Sequence, residues 1–502
     1  MNYTCRIARA TIIVFVFSLM GAVLGYMLRL FIARNTAVED FGLFYSVLAF
    51  FSFFWVMKDF GIGTALVKYV PEFEVNGRYN DIKRVIKASF LVQFAIGAFI
   101  GLALFLLSDY ISIGFFHNEK ASFLIKLFSI EIVLGVIFLK MLLQGLQKMV
   151  VFSLVETVRI ITIFIFIFLF GGANIENIAI SYFLASLAIQ AFMVIYVARV
   201  VGGFRNSDPS SGNILKPLAV FGSFIFMGNV ATFVIGYADT MVLTYFRSLY
   251  EVGLYQVSVS TSQMLLIFSS SFTAILFPVI SEVWSKGRKS DISGYMGFMI
   301  KSIFLFMAFI SLLFMAFPEI IINIFFGGNY LSSSLSLQIL SFGMIFFSMN
   351  MVFSVILNAI GQPRKNTTAI IIISLYNLAA NIMIIPVFGI EGAAVSTASS
   401  YIVGFVILYR YLGGHFRITI PLKEISAIFA ASLLSMLIIY MTKNVLNMNI
   451  FTEAVISVTF AAAFYLSFFL KVRLFNSSDM RIVKSSGIMP ERILRLLERY
   501  SR

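Results

Sequence analysis

The chain has 502 residues, of which 60% are hydrophobic and only 12% charged, and its mean hydropathy is +0.97. Soluble domains carry about 25% charged residues, so this chain lacks the polar surface a water-soluble globule needs, which excludes a soluble enzyme and a disordered chain alike and makes it an integral membrane protein. Its formal charge of +14 then reads as membrane topology rather than as affinity for nucleic acid.

Apolar runs long enough to cross a hydrocarbon core of about 30 Å recur along nearly the whole length. Their pattern is helical rather than period-two, which excludes a β-barrel. In chain order the predicted spans are 7–32, 43–66, 85–108, 123–143, 150–171, 178–201, 218–245, 252–281, 295–317, 333–358, 367–388, 391–412, 425–446 and 451–471. The first is too long, and too charged at its far end, for a cleaved signal peptide, and it lacks a small-residue cleavage site. The short loops leave no room for a sizeable soluble domain. The lone cysteine, Cys5, rules out an intrachain disulfide.

Placing the N-terminus inside puts 29 of the 37 Lys and Arg residues on the inner side, 5 on the outer side and 3 (Arg29, Lys58 and Arg159) within spans. That alternation obeys the positive-inside rule with both termini cytoplasmic, and it calls for an even number of spans. An internal repeat is visible at an offset of 211: Gly42-Leu43-Phe44 aligns with Gly253-Leu254-Tyr255, and GLQK (Gly145 to Lys148) matches GQPR (Gly361 to Arg364). Both copies begin on the same side, the signature of parallel repeats. The expected fold is therefore an all-α polytopic membrane protein with about 14 transmembrane helices, built as two parallel-repeat six-helix lobes around a central cavity. The N-terminal lobe covers 1–205 and the C-terminal lobe 218–412, joined by a cytoplasmic linker at 206–217 that is rich in Gly, Ser, Asn, Asp and Pro. Two further helices fill 425–471. The basic tail 473–502 has Ile493, Leu496, Leu497 and Tyr500 at one-face spacing between arginines, which suits an amphipathic helix on the anionic inner leaflet or on the protein's own loops.

No GxxxxGK[ST] phosphate loop occurs, so ATP hydrolysis by this chain is excluded. The two histidines, His117 and His415, fall in loops on opposite sides, and no Cys/His cluster exists. Glu39-Asp40 sits in a short hairpin and reads as a solvated turn. Catalysis, a metal site and a cofactor are all unsupported; transport is the better reading. Charges inside spans carry that reading, because an ionisable residue at mid-bilayer costs roughly 2.5–3.5 kcal/mol and usually faces a cavity or a partner. Lys58 and Asp59 lie in the cytoplasmic half of span 2. As neighbours they point about 100° apart, so each needs a partner on another helix, and Gly61 and Gly63 permit a local break. Glu156 and Arg159 lie three apart on one face of span 5. Arg29 lies toward the outer end of span 1 and Asp239 toward that of span 7, where it could bind a coupling cation or pair with an arginine. Arg34, Arg247 and Lys140 extend the set at the mouths. Polar span residues, among them Gln93, Asn229, Gln263, Asn350, Asn377 and Asn381, suit either a sugar or helix–helix contact.

The stretch RLFIARNTAVEDFGLFYSVLAFFSFFWVMKDFGIGTALVKYVPEF, with Ala33-Arg34, Phe41-Gly42 and Asp59-Phe60-Gly61, resembles the first two spans of the polysaccharide transporter family. These are the lipid-linked oligosaccharide flippases of the multidrug/oligosaccharidyl-lipid/polysaccharide (MOP) superfamily. YADTMVLTYFRSLYEVGLYQVS, Pro278 in ILFPVISEVWSKGR, ILNAIGQPRKNT and NIMIIPVFGIEGAAVSTASSYIVG are similar to later spans, so the likeness covers about 1–412. One departure is the outer turn Asn35 to Asp40, which replaces the family's Leu-Gly-Pro. The family's motif carries over onto Arg34 and Asp59 alone. The resemblance implies a substrate: a polyprenyl- or dolichyl-diphosphate-linked oligosaccharide, moved from the cytoplasmic to the outer leaflet for cell-surface glycan synthesis. Membrane lipids and glycan-assembly enzymes would then be partners, and nucleic acid would not. Lys58, Arg159 and Arg29 would contact the diphosphate in turn, with Asp59 and Asp239 orienting them or binding a cation. Two rivals stand beside this: a cation-coupled multidrug exporter of the same superfamily, and a non-transporting scaffold of a glycan-assembly complex.

Overall fold

The computed structural model describes residues 3–172, 174–204, 215–287, 289–414, 422–446 and 450–472. Most of the expected linker 206–217, His415 and the basic tail 473–502 lie outside the described residues. The elements are α1 (Tyr3–Asn35), α2 (Val38–Asp59), α3 (Ile62–Val75), α4 (Tyr79–Leu106), α5 (Ser108–Gly114), α6 (Lys120–Leu134), α7 (Phe138–Gly145), α8 (Met149–Leu169), α9 (Ile175–Gly202), α10 (Leu215–Phe246), α11 (Leu249–Gln263), α12 (Leu266–Ser285), α13 (Lys289–Ala316), α14 (Pro318–Phe325), α15 (Ser334–Ala359), α16 (Pro363–Gly413), α17 (Leu422–Leu446) and α18 (Ile450–Val472), with one 3₁₀ turn, Gly328–Ser333. Among the described residues the regular structure is helical throughout, as backbone immersed in lipid requires: each N–H and C=O finds its partner within the helix.

Twelve of these helical segments are long and apolar enough to cross a membrane. The expected fourteen differ from that number at two places. Spans 367–388 and 391–412 both fall on the 51-residue α16, which is broken at Gly389, where φ is 56° and ψ is −131°. The span expected at 252–281 is divided between α11 and α12. Span 2 also ends earlier than expected. Phe60 and Gly61 both take left-handed backbone (φ 46° and 75°), closing α2 at Asp59 and starting α3 at Ile62. Gly61 alone fits there, since a Cβ would lie 2.1 Å from the Gly222 carbonyl oxygen of α10.

The chain divides into two compact units, Met1–Gln256 with Asn381–Ile390, and Val257–Ala380 with Glu391–Arg502. In the first, α1 packs on α8, α4 on α6, α3 on α7, α8 on α9, and α2 and α3 on α10. One apolar cluster of this unit gathers Leu66, Val70 and Phe73 of α3 with Phe138, Leu142 and Leu143 of α7 and Met193 and Val197 of α9. In the second, α15 packs on α12 and α13, and α17 packs on α13 and α18. Large apolar side chains also face outward, such as Phe99, Leu169 and Leu466. In water that would be a liability, but against lipid tails it is the expected surface.

The repeat read from sequence has a structural counterpart. A Cβ on Gly42 of α2 would meet the Leu249 carbonyl oxygen at 2.0 Å, and one on Gly253 of α11 would meet the Val38 carbonyl oxygen at 2.2 Å. The two contacts are the same contact displaced by 211 residues, made reciprocally. Three interhelical turns match as well. Arg78, Lys148 and Gln362 each donate a backbone N–H to the carbonyl five residues back (Phe73, Leu143 and Leu357), the Schellman closure that ends a helix with one left-handed residue. That residue is Gly77, Gln147 and Gly361 respectively, so GLQK and GQPR are equivalent turns with their registers shifted by two.

Candidate functional site

The fourth membrane crossing is not one helix. α6 stops at Leu134, Gly135 is extended (φ −65°, ψ 128°), and α7 resumes at Phe138. A break of this kind strands carbonyls at the end of α6 and N–H groups at the start of α7, and within a membrane these must be satisfied by protein. Lys58, at the last turn of α2, does half of this. Its fully buried ammonium donates to the Ile132 carbonyl and, at 2.5 Å, to the Gly135 carbonyl. A cation there also meets the negative end of the α6 dipole. Two glutamines do the other half: Val136 N–H donates to Gln190 Oε1 at 3.0 Å and Phe138 N–H to Gln93 Oε1 at 3.4 Å.

Asp59 belongs to the same scaffold. It accepts from Gln93 Nε2 at 3.0 Å and from the Gly63 N–H at 3.1 Å, capping the first turn of α3. The adjacent Lys58 and Asp59 do point to different helices, but their partners are backbone groups and an amide rather than opposite charges. Gly97 of α4 lets this happen, because a Cβ there would sit 2.8 Å from the end of the Lys58 side chain.

Beside the break lies a pocket of about 240 Å³, bounded by α2, α6, α7, α8 and α9. Its charged lining is Lys58, Glu131, Lys140, Glu156 and Arg159, and Trp55, Ser186 and Gln190 join them. Glu156 of α8 bridges two cations. Arg159 reaches Glu156 Oε1 at 2.5 Å and Lys140 reaches Glu156 Oε2 at 3.5 Å. These three side chains are 31%, 35% and 42% exposed for Arg159, Lys140 and Glu156, so their charges face the pocket whereas that of Lys58 is spent on the backbone. Glu131 is buried and accepts a hydrogen bond from Ser186. Ser186 in turn accepts from Gln190 Nε2 at 3.0 Å. A continuous polar chain thus runs from the broken backbone at Val136 to a carboxylate between Lys58 and Arg159.

The structure brings Lys58, Lys140, Glu156 and Arg159 to one pocket and places the other expected charged residues elsewhere. The Arg29 guanidinium lies over the Tyr45 ring, 4.1 Å from its centroid, a cation–π contact. Tyr45 is hydrogen-bonded to Tyr182, whose neighbourhood includes both Arg29 and Arg159. Arg34 is exposed at the end of α1. Asp239 is buried in α10, where it accepts from the Tyr255 hydroxyl at 2.6 Å, next to Thr240, which accepts from Gln256 at 2.8 Å. Arg247 pairs with Glu251 at 2.9 Å, one turn on, against the break at Gly389. Glu131, Ser186 and Gln190 are absent from the expected set. Glu131 carried a readable signal, a carboxylate well inside an apolar span; Ser186 and Gln190 did not.

With this geometry in hand, likeness to known proteins is informative. The profile of a family described as polysaccharide biosynthesis protein matches residues 7–284, more than half of the chain. The chain belongs to that family. An uncharacterized membrane protein of Methanocaldococcus jannaschii is 32% identical over 416 residues, 78% of this chain and 81% of that protein. The probable low-salt glycan biosynthesis flippase Agl15 of Haloferax volcanii is 24% identical over 469 residues, 91% of this chain and 94% of its own length. Among solved structures, the lipid II flippase MurJ in an inward closed conformation superposes with a TM-score of 0.69 at 18% identity, covering 91% of this chain and 98% of MurJ. An inward-facing multidrug resistance MATE transporter of the MOP superfamily gives 0.65 at 13% identity, covering 80% and 98%. The polysaccharide biosynthesis family member described here therefore has the MurJ/MATE-like fold.

Proposed function

We propose that the chain is a flippase that carries a polyprenyl- or dolichyl-diphosphate-linked oligosaccharide from the cytoplasmic to the outer leaflet by alternating access, with both termini in the cytoplasm. The observation that carries this reading is a pocket within an apolar bundle, at a broken helix, holding three cations and two carboxylates. A glycan diphosphate cannot cross hydrocarbon unshielded. At an effective dielectric of 20, one unit charge 4 Å from another is worth about 4 kcal/mol, so a few cations offset much of that cost. Broken helices lining a polar cavity are a recurring construction of transporter sites.

The geometry refines the roles of the cations. Lys140 and Arg159 receive the diphosphate, since both remain partly exposed at the pocket and a guanidinium fork matches phosphate oxygens. Glu156 is the resident anion that the phosphate replaces. Lys58 holds the broken helix in place rather than touching substrate. Arg29, with Tyr45 and Tyr182 between it and Arg159, is the next cation along the path. Outward movement of a headgroup of charge about −2 from a negative interior releases roughly 4–5 kcal/mol per 100 mV, enough to drive export without ATP.

The likeness to MATE transporters keeps cation-coupled drug export as the rival. The two are separated in a strain of the source organism lacking the gene. The flippase reading expects the full-length glycolipid to accumulate on the cytoplasmic side, to be cleared by the wild-type chain, and to remain with K140M/R159M. Unchanged glycolipid together with new drug sensitivity would transfer the chain to the rival.

A further inference from the structure

Trp55 is the only aromatic side chain in the lining of the charged pocket. It lies three residues before Lys58 and so shares its face of α2. Other aromatics of α2 are spent on each other or on neighbouring helices: Phe50 stacks edgewise on Phe54, Phe51 meets Phe128, and Phe53 meets Phe233. Trp55 is 37% exposed and, among the described residues, makes no ring contact, hydrogen bond or ion pair. A tryptophan of the membrane-interface belt faces lipid headgroups, whereas this one lines a pocket that holds charged side chains. In the same lining, Gln190 uses one amide hydrogen on Ser186 and keeps the second without a partner among the described residues.

An indole face, a planar amide donor and a pair of cations are what a sugar diphosphate presents groups for. Phosphate oxygens take the cations, the apolar C–H face of a pyranose takes the ring, and a hydroxyl takes the amide. A volume of about 240 Å³ falls below the 300–1,000 Å³ typical of pockets for drug-sized ligands, so an oligosaccharide does not fit. We infer that Trp55 is the platform for the one pyranose bonded directly to the diphosphate, and that this pocket reads that proximal sugar and none of the outer ones. The inference rests on the flippase reading above and adds a specificity-determining residue to it.

The chain has two tryptophans, so W284F leaves Trp55 as the sole indole fluorophore. In that background, the full-length purified protein is titrated with farnesyl diphosphate and with glucose linked to farnesyl diphosphate. The sugar-bearing probe should shift Trp55 emission and the sugar-free probe should leave it unchanged. Read by isothermal titration, W55L should weaken the sugar-bearing probe about three- to tenfold and leave the sugar-free probe within twofold, which also shows that the variant is folded. W55F, which keeps a ring, should recover most of the loss. Equal effects of W55L on both probes, or none on either, overturn the platform. Failure of farnesyl diphosphate to bind the wild-type chain at all overturns the flippase reading instead.

Discussion

Substituting Lys58 by methionine separates a structural cation from a substrate-binding one. The change keeps the apolar stem and removes the ammonium, leaving the Ile132 and Gly135 carbonyls without their donor. A buried polar group stripped of its partner costs about 1–3 kcal/mol. Glu131, buried in the same pocket lining, also loses the attraction of a nearby cation, which adds to the cost. Water reaching the pocket offsets part of both, so a net loss of roughly 3–5 kcal/mol is expected, or about 6–10 °C in melting temperature for a unit of this size. Arg159→Met, by contrast, removes a side chain that is nearly one-third exposed and paired on the same helix, where solvent screening leaves about 1 kcal/mol or less. Thermal denaturation in detergent, followed by size-exclusion chromatography, reads both. K58M should melt early, K58M/E131Q should recover a third or more of the loss, and R159M should melt within about 2 °C of wild type. A K58M protein as stable as wild type yet inactive in transport would mean that Lys58 serves the substrate and not the helix break.

Other expectations follow from contacts already described. Gly42→Ala and Gly253→Ala each place a Cβ against a backbone carbonyl, at 2.0 and 2.2 Å, and should each destabilise by about 2–3 kcal/mol or more. Gly236→Ala in α10 meets nothing within 4 Å and should match wild type or gain up to about 1 kcal/mol; the same melting assay compares all three. Gln93→Leu removes the partner of Asp59 and of the Phe138 N–H, and amide hydrogen exchange at the start of α7 should quicken by roughly tenfold, which corresponds to about 1.4 kcal/mol of local protection. At the α5–α6 corner, the Ser122 hydroxyl and the Lys126 ammonium hold the Asp109 carboxyl below its usual range. Its folded value being the lower one, this tether is present above the ordinary carboxylate pKa of about 4 and is lost as the pH falls through the folded value. Titration followed by NMR of a ¹³C-labelled Asp109 should show the low value in wild type and its return toward normal in S122A.

How far the sequence speaks depends on which force decides each feature. Transmembrane character and helix order follow from apolar run length, and the structure keeps them. The end of span 2 was half visible: Gly61 and Gly63 announce a break, but the left-handed Phe60 does not, because its backbone is set by the approach of α10 at Gly222. The same holds at Gln147, where the closing turn takes a residue other than glycine. The break at Gly135 is invisible in an apolar run, since it depends on Lys58, Gln93 and Gln190 arriving from three other helices. For that reason the sequence shows Lys58 as a charge inside a span and does not show the carbonyls it meets. A charge inside a span signals an obligatory partner, but not whether that partner is a substrate or a stranded carbonyl. Glu156 and Arg159 were readable in full, because spacing along a single helix already puts them on one face. The pocket they form with Lys140 was not, since it requires α7 and α8 to be placed side by side.

The most direct test of the account is translocation by the purified chain in proteoliposomes. A fluorescent short-chain polyprenyl diphosphate glycan is supplied on one side, and its appearance on the other is read by a membrane-impermeant quencher, with an imposed potential. The account predicts potential-stimulated transfer by the wild-type protein, a loss of at least tenfold in K140M/R159M, and transfer close to the wild-type rate in K140R, which keeps the charge. Transfer at the wild-type rate by K140M/R159M, or none by a folded wild-type protein, would contradict it.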